Sequence, residues 1–140
     1  MGVPTLTRRA AAIVALMMLG ACSQGGRSAG AAQDRFAGLD SEILKWRTDI
    51  IATDPLCKSQ VADQKCASFE VACKAERTVT PQEQAKGITA HVVTAMSWNG
   101  FDPKLKQPQA GSRTVEFTKS ASGWTRAEHA PVNMSTCADS

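Results

Sequence analysis

Cysteine is the residue type that most constrains what this chain of 140 residues can fold into. The first of its five cysteines, Cys22, lies far ahead of the other four, which are Cys57, Cys66, Cys73 and Cys137. Four is the number that two disulfides require, and small exported domains depend on such bonds because their apolar cores are small. The four later cysteines therefore predict two disulfides in an exported domain, with Cys22 left for another role.

The first 21 residues have the layout of a signal peptide. Arg8 and Arg9 are followed by ten apolar residues, 10–19. A membrane-spanning helix needs about 20 such residues, so this run is too short to cross a bilayer permanently. A basic start followed by a short apolar core predicts export and removal of residues 1–21.

The motif Leu19-Gly20-Ala21-Cys22 resembles the lipobox of bacterial lipoproteins, and the resemblance covers residues 1–24 only. It implies cleavage before Cys22, diacylglycerol on the Cys22 sulfur and a further acyl chain, such as palmitate, on the new amine. By the same resemblance, Ser23 favours the outer membrane, with the protein facing the periplasm. The alternative is an ordinary secretory signal that leaves Cys22 as a free thiol.

Residues 22–33, which include the lipidated cysteine, are small and polar and are typical of a flexible tether. Residues 34–140 are enough for a single globular domain. Once Arg8 and Arg9 leave with the signal, 14 basic and 13 acidic residues remain, a net charge of +1. Such an even balance argues against a nucleic-acid-binding protein, which usually carries a basic patch.

The first part of the domain has the period of an amphipathic helix. Apolar residues recur there at spacings of three and four: Phe36, Leu39, Ile43, Trp46 and Ile50. This pattern predicts a helix whose apolar stripe faces the core, ended by Pro55. The polar face carries both signs of charge, which argues against a helix that lies on a membrane surface.

The rest of the domain predicts an antiparallel sheet of three or four strands. The alternating pattern from Phe69 to Ala75 predicts a strand with Phe69, Val71, Cys73 and Ala75 on one face, although residues 57–68 could be helix or loop. Residues 88–98, 113–119 and 124–128 are further strand candidates, with a turn at 120–123. Between the first two strands, Thr80-Pro81-Gln82-Glu83 matches a helix capping box, with Gly87 as a stop. We therefore predict an α+β fold, a helix packed on a small antiparallel sheet.

The spacing of the cysteines leaves two disulfide pairings open. Cys66 and Cys73 are too far apart on either a helix or a strand, because disulfides need Cα atoms within about 7 Å. The remaining choices are Cys57–Cys66 with Cys73–Cys137, or Cys57–Cys73 with Cys66–Cys137. The first is preferred, because the polar residues 58–65 could form a loop that brings Cys57 and Cys66 together.

The sequence carries no catalytic signature. His91 is expected on a strand and His129 in a loop, neither with a placed partner. The cysteine spacings do not match the closely spaced pairs of zinc sites, and no nucleotide or hydrolase motif occurs. We therefore expect no cofactor, no metal site and no enzymatic activity.

The least ordinary surface feature is the segment 99–112, which lacks periodicity and is expected to be a long loop. It carries Phe101, Lys104 and Lys106 next to Trp98. Aromatic area beside positive charge suits a protein partner or an anionic surface. This segment is therefore the candidate partner-binding loop, and the alternative is a plain solvated loop with Trp98 in the core.

Two functions fit these observations. The first is a membrane-anchored lipoprotein that binds another envelope protein, as an assembly factor, an inhibitor or a component of a complex. The second is a lipoprotein that holds a small apolar ligand between helix and sheet. A deep cavity lined by Trp46, Met96 and Trp124 would favour the ligand, and a filled core would favour the protein partner.

Overall fold

The computed structural model describes residues 35–140. We number the helices and strands α1, α2 and β1 to β4 in chain order; in addition, short 3-10 turns cover Pro55–Cys57 and Ala62–Gln64. The elements are α1 (Leu39–Thr53), β1 (Ala67–Arg77), α2 (Pro81–Ala85), β2 (Ala90–Asp102), β3 (Gln107–Ser120) and β4 (Gly123–Glu128). The strands form one antiparallel sheet in the order β1-β2-β3-β4.

The predicted combination of a helix, an antiparallel sheet of three or four strands and two disulfides is therefore confirmed. The signal peptide, Cys22 and the tether lie outside the described residues, and so does the question whether α1 is the first helix of the whole chain. Neither helix among residues 35–140 is long and apolar enough to cross a membrane.

The helix α1 packs on one face of the sheet through its apolar stripe. Leu39, Ile43, Trp46 and Ile50 are all buried. They form the main core with side chains from the two central strands: Val92, Met96, Trp98, Val115 and Phe117. Because side chains alternate along a strand, residues 92, 96 and 98 share the face that looks at the helix, as their spacing predicts.

The opposite face of the sheet is covered by the C-terminal segment. Val132 and Cys137 pack there against Val93 and Ala95 of β2. The segment is held in a turn at Asn133, whose backbone oxygen accepts hydrogen bonds from Thr136 and Cys137 and whose side chain accepts one from Ser135. The sheet is therefore buried on both faces, and the second core was not predicted from the sequence.

One expectation about β1 is wrong. Phe69, Cys73 and Ala75 were expected on one face, but Phe69 packs beside the α1 core while Cys73 and Ala75 belong to the second core. The cause is a register irregularity in the pairing of β1 with β2 between Val71 and Cys73. An extra residue in one strand moves every later side chain to the other face.

The disulfides join Cys57 to Cys66 and Cys73 to Cys137, the preferred pairing. Their Cα atoms are 5.0 Å and 5.6 Å apart. The first closes the loop after α1, and the second ties the C-terminal segment to β1.

The predicted capping box of α2 is also confirmed. The Thr80 hydroxyl accepts the N–H of Glu83, and the Glu83 carboxylate accepts the N–H of Thr80. Gly87, with φ of 82°, follows the helix and adopts the left-handed conformation that favours glycine.

Candidate binding surface at the tip of the β2–β3 hairpin

The segment 99–112 is not a loop, and this corrects the expectation from the sequence. Residues 99–102 continue β2, residues 107–112 begin β3, and the two runs pair in register from Asn99 and Ala110 to Asp102 and Gln107. The segment lacks alternating polarity because most of its residues are exposed on both strands, so it needs no continuous apolar face. The candidate residues therefore lie on a regular hairpin.

The end of the hairpin is a turn organised by Asp102. Its carboxylate oxygen Oδ1 accepts the backbone N–H of Lys104 at 2.7 Å and that of Leu105 at 3.0 Å. This is the way aspartate side chains commonly stabilise turns. Lys106 closes the turn in the left-handed region, with φ of 54°. The turn thus holds residues 103–106 in one defined shape.

The turn presents an aliphatic side chain between two cations. Leu105 is 63 % exposed, and Lys104 and Lys106 on either side of it are exposed too. Neither lysine has a salt bridge within residues 35–140. Phe101, one of the predicted residues, is partly buried on β2. We call Phe101, Lys104, Leu105 and Lys106 the hairpin tip.

Leu105 is the residue that the sequence analysis missed. In the sequence, Leu105 lies between two lysines and follows the turn-forming residues Asp102 and Pro103. Only the structure shows that its side chain is largely exposed. Single exposed apolar residues are common on protein surfaces, and Leu44 of α1 is 62 % exposed as well. Leu105 is therefore distinguished by the two lysines that flank it rather than by its exposure.

The base of the hairpin is fixed to the core by an aromatic stack. Trp98 is 2 % exposed, and its ring stacks on that of Phe69, with centroids 5.8 Å apart and planes at 19°. The guanidinium of Arg47, from α1, lies 4.9 Å from the centroid of Phe69. The stack joins α1, β1 and β2 at the point where the hairpin leaves the sheet.

Two glycines allow this base to pack tightly. A Cβ atom at Gly100 would lie 2.7 Å from Cβ of Leu56 and 3.2 Å from Sγ of Cys66. The loop closed by the Cys57–Cys66 disulfide therefore presses directly on β2. At Gly111 the space is taken by the indole of Trp98. The hairpin is braced on both strands just before its tip.

The two histidines lie where strand and loop were expected. His91, on β2, has Nδ1 3.2 Å from a Glu83 oxygen and Nε2 3.0 Å from a Glu116 oxygen. His129 follows β4, with Nδ1 2.8 Å from the backbone oxygen of Ala130. The hydrogen bonds from Thr80, its backbone N–H first and its hydroxyl second, hold the pKa of Glu83 below its ordinary value of 4.5, and His91 lowers it further.

A cavity for an apolar ligand would be lined by Trp46, Met96 and Trp124, and two of these residues are fully packed. Trp46 and Met96 are 1 % and 2 % exposed and belong to the packed core, where Trp46 meets the edge of Phe117. Trp124 is partly buried, and its indole N–H donates to the backbone oxygen of Ala37 at 2.9 Å. These three side chains pack against protein rather than around an open cavity.

An open groove of about 400 Å³ lies at the start of α1. It is lined by residues 36–41 and by Lys74 of β1. Within residues 35–140, no group of three or more His, Cys, Asp or Glu side chains is placed to hold a metal ion. No protein-family model, curated protein or solved structure matches this chain.

Proposed function

We propose that this protein is a bacterial envelope lipoprotein that binds another envelope protein and has no enzymatic activity or cofactor of its own. Residues 1–21 act as a signal peptide, acyl chains on Cys22 anchor the chain in the outer membrane, and residues 22–33 tether a periplasm-facing domain. In this proposal α1 is the first helix of the mature chain. The lipobox-like motif and the disulfide-bonded even set of cysteines support an exported, anchored protein.

The observation that carries the binding proposal is the hairpin tip. Its exposed Leu105 is flanked by two lysines on a turn whose base is braced by Trp98 and by the Cys57–Cys66 loop. A rigid aliphatic anchor loses little conformational freedom when it enters a pocket, so more of the contact energy appears as affinity. The partner that fits is a protein with an apolar pocket rimmed by carboxylates.

The packed core favours this proposal over the apolar-ligand alternative. Trp46 and Met96 fill the space between helix and sheet that such a ligand would need. Small-molecule sites are generally concave cavities that bury most of the ligand surface. The groove beside residues 36–41 is open, so it gives a ligand much less cover.

The anchor is tested by replacing Cys22. Wild-type protein should carry acyl mass at its N-terminus and fractionate with membranes, whereas Cys22→Ser should be released in soluble form. Two or three acyl chains hold a protein firmly, while one chain binds only marginally. An N-terminus without acyl mass, together with a Cys22→Ser variant that still fractionates with membranes, would refute the anchor.

The binding surface is tested by a photo-crosslinking residue at position 105 in living cells. The lipidated protein should form one dominant cross-linked product, identified by mass spectrometry, and a probe at the exposed position Gln82 should not form it. A Lys104→Ala, Lys106→Ala variant carrying the same probe should lose most of the product while keeping its melting temperature. Equal cross-linking at both positions would dismiss the hairpin tip.

The residues predicted from the sequence, Phe101, Lys104 and Lys106, are tested separately from Leu105. Phe101→Ala, Lys104→Ala and Lys106→Ala combined should weaken partner recovery, with about 2 kcal/mol expected for a true anchor residue. Because Phe101 is partly buried, melting temperature is measured in parallel. A large fall in melting temperature with unchanged recovery would place Phe101 in the fold rather than in the binding surface.

A further inference from the structure

The strand β1 forms the longer open edge of the sheet. It has 11 residues against six in β4, the other edge strand. Within residues 35–140, β1 has strand pairing to β2 alone, and its outer backbone groups face no other strand. Such an edge is a template for pairing with another chain.

The regular part of β1 is symmetric about Ala75. Pairing with β2 is irregular up to Cys73 and then uninterrupted through Arg77. Two residues of opposite charge flank Ala75, namely Lys74 and Glu76, and their side chains are 47 % and 40 % exposed. A second copy that paired antiparallel about a two-fold axis at Ala75 would place each Lys74 directly opposite a Glu76.

The two-fold axis repeats this contact, so the edge gains two Lys–Glu pairs. Opposite charges directly across a strand pair stabilise a sheet. The pairing uses the regular run Cys73–Arg77, which lies after the irregularity in β1.

The neighbouring registers are unfavourable. An axis at residue 74 would place Lys74 opposite its own copy, and an axis at residue 76 would do the same for Glu76. An axis between residues 75 and 76 would pair residues whose side chains lie on opposite faces of the sheet, which regular antiparallel pairing does not allow. Like charges directly opposite each other destabilise a strand pair, so the charge pattern selects the axis at Ala75.

We propose that this chain forms a symmetric dimer through β1, with Ala75 on the two-fold axis and the sheet extended to eight strands. An isologous interface of this kind is closed and cannot propagate into fibres. An axis normal to the sheet keeps both α1 helices on one face, and Arg35, bonded to Glu76, lies on that face in each copy. Both chains therefore enter from the same side, which suits a shared membrane if the proposed anchor holds.

The charged residues of this edge also have partners within the chain. The Lys74 ammonium is 3.6 Å from an Asp40 oxygen, and Arg35 is 2.9 Å from a Glu76 oxygen. Exposed pairs of this kind contribute little to stability. The competing explanation is that Lys74 and Glu76 form ion pairs only within their own chain. The test must distinguish this explanation from pairing between two copies.

The test uses the full chain in density-matched detergent, studied by sedimentation equilibrium over a range of concentrations. Wild type should dimerise reversibly. Lys74→Glu and Glu76→Lys, each alone, should weaken dimerisation about tenfold or more, because each brings like charges together twice. The matched controls Lys65→Glu and Glu128→Lys, which change the same charges away from β1, should dimerise like wild type.

Mixing decides between the two explanations. Lys74→Glu has two glutamates at the edge and Glu76→Lys has two lysines, so an equimolar mixture should form a heterodimer of about wild-type strength. The exchange variant Lys74→Glu, Glu76→Lys should also recover, although it loses both pairs within the chain. Monomeric wild type, single variants that dimerise normally, or a mixture that does not associate would each overturn the proposal, whatever becomes of the membrane anchor.

Discussion

The indole of Trp98 lies directly over Gly111 on the neighbouring strand, in the place that a Cβ atom would occupy. The two residues are paired in the β2–β3 register, and Trp98 is 2 % exposed. Trp98 also stacks on Phe69, so its ring cannot move aside without breaking that contact. Because glycine at position 111 has no side chain, the indole of Trp98 can lie across the neighbouring strand β3.

Gly111→Ala should destabilise the protein by about 2 kcal/mol, within the range for overpacked sites. The added methyl group would displace the indole and disturb its stack on Phe69. Urea denaturation followed by tryptophan fluorescence measures the loss. Gln109→Ala, on the same strand but exposed, should cost less than about 0.5 kcal/mol, as surface substitutions generally do. Equal stability of the two variants would contradict the packing argument.

The two disulfides should differ in the stability they provide. Cys73–Cys137 spans 64 residues and Cys57–Cys66 spans nine. By the chain-entropy relation, removing the longer bond through Cys73→Ala and Cys137→Ala should cost about 4 kcal/mol, and removing the shorter one about 3 kcal/mol. Chemical denaturation of both double variants gives the comparison. A larger loss from the shorter bond would mean that its contact with the hairpin outweighs the entropy of loop closure.

Asp54 should matter more than an ordinary surface acid. It is 7 % exposed, accepts the N–H of Leu56 at 3.0 Å and lies 3.1 Å from Arg113 of β3. Asp54→Ala should cost about 2 kcal/mol, because it leaves the Leu56 N–H and the Arg113 guanidinium without their acceptor.

The contribution of the charge at Asp54 can be separated from that of the hydrogen bond. Asp54→Asn keeps an oxygen for Leu56 and should cost about 1 kcal/mol less than Asp54→Ala. Thermal unfolding of both variants checks the order. If Asp54→Asn proves as damaging as Asp54→Ala, the ion pair with Arg113 carries the whole effect.

Glu83 should make stability depend on pH in the acid range. Its pKa is lowered in the folded protein by the hydrogen bonds from Thr80 and by His91, so the ionised form is favoured by folding. A lowered folded pKa contributes stability that is complete above the ordinary value of 4.5 and is lost as the pH falls through the folded pKa.

Melting temperatures of wild type and Glu83→Gln, measured from pH 7 to pH 3, test this dependence. Wild type should be the more stable form at pH 7, and the difference should shrink below about pH 4.5 as Glu83 takes up a proton. Glu128→Gln, an exposed residue of β4, serves as the control and should show a small, flat difference. A difference for Glu83→Gln that does not change with pH would contradict the assignment.

Local pattern was sufficient wherever a structural rule acts within a few residues. The spacing of the apolar residues in 39–50 matches the buried stripe of α1, whereas Phe36 lies in the turn before the helix. Thr80 with Glu83 forms the expected capping box. Disulfide geometry excludes Cys66–Cys73 on a straight element and leaves two pairings open. The polar residues 58–65 favour the pairing that the structure has. The lipobox-like motif is equally local, and replacement of Cys22 tests the lipid anchor that it implies.

The hairpin tip could be located by sequence but not described by it. Phe101, Lys104 and Lys106 stand out in the sequence, yet the lack of periodicity predicts a loop and does not single out Leu105. Pairing between residues 99–102 and 107–110 depends on hydrogen bonds across the strands, which any exposed sequence can form. The exposure of Leu105 is a property of three-dimensional packing, which the sequence alone does not show.

By itself, the sequence determined the types of element, their order and the residues able to form disulfides, because periodicity, capping and cysteine spacing act over short stretches of chain. Only the tertiary structure decided which face of the sheet each side chain occupies and what covers that face. An irregularity in β1 sends Phe69 to one core and Cys73 to the other, and the last residues of the chain return to cover the second face. Both outcomes depend on contacts between residues far apart in sequence, and a one-residue change of register reverses every later side chain.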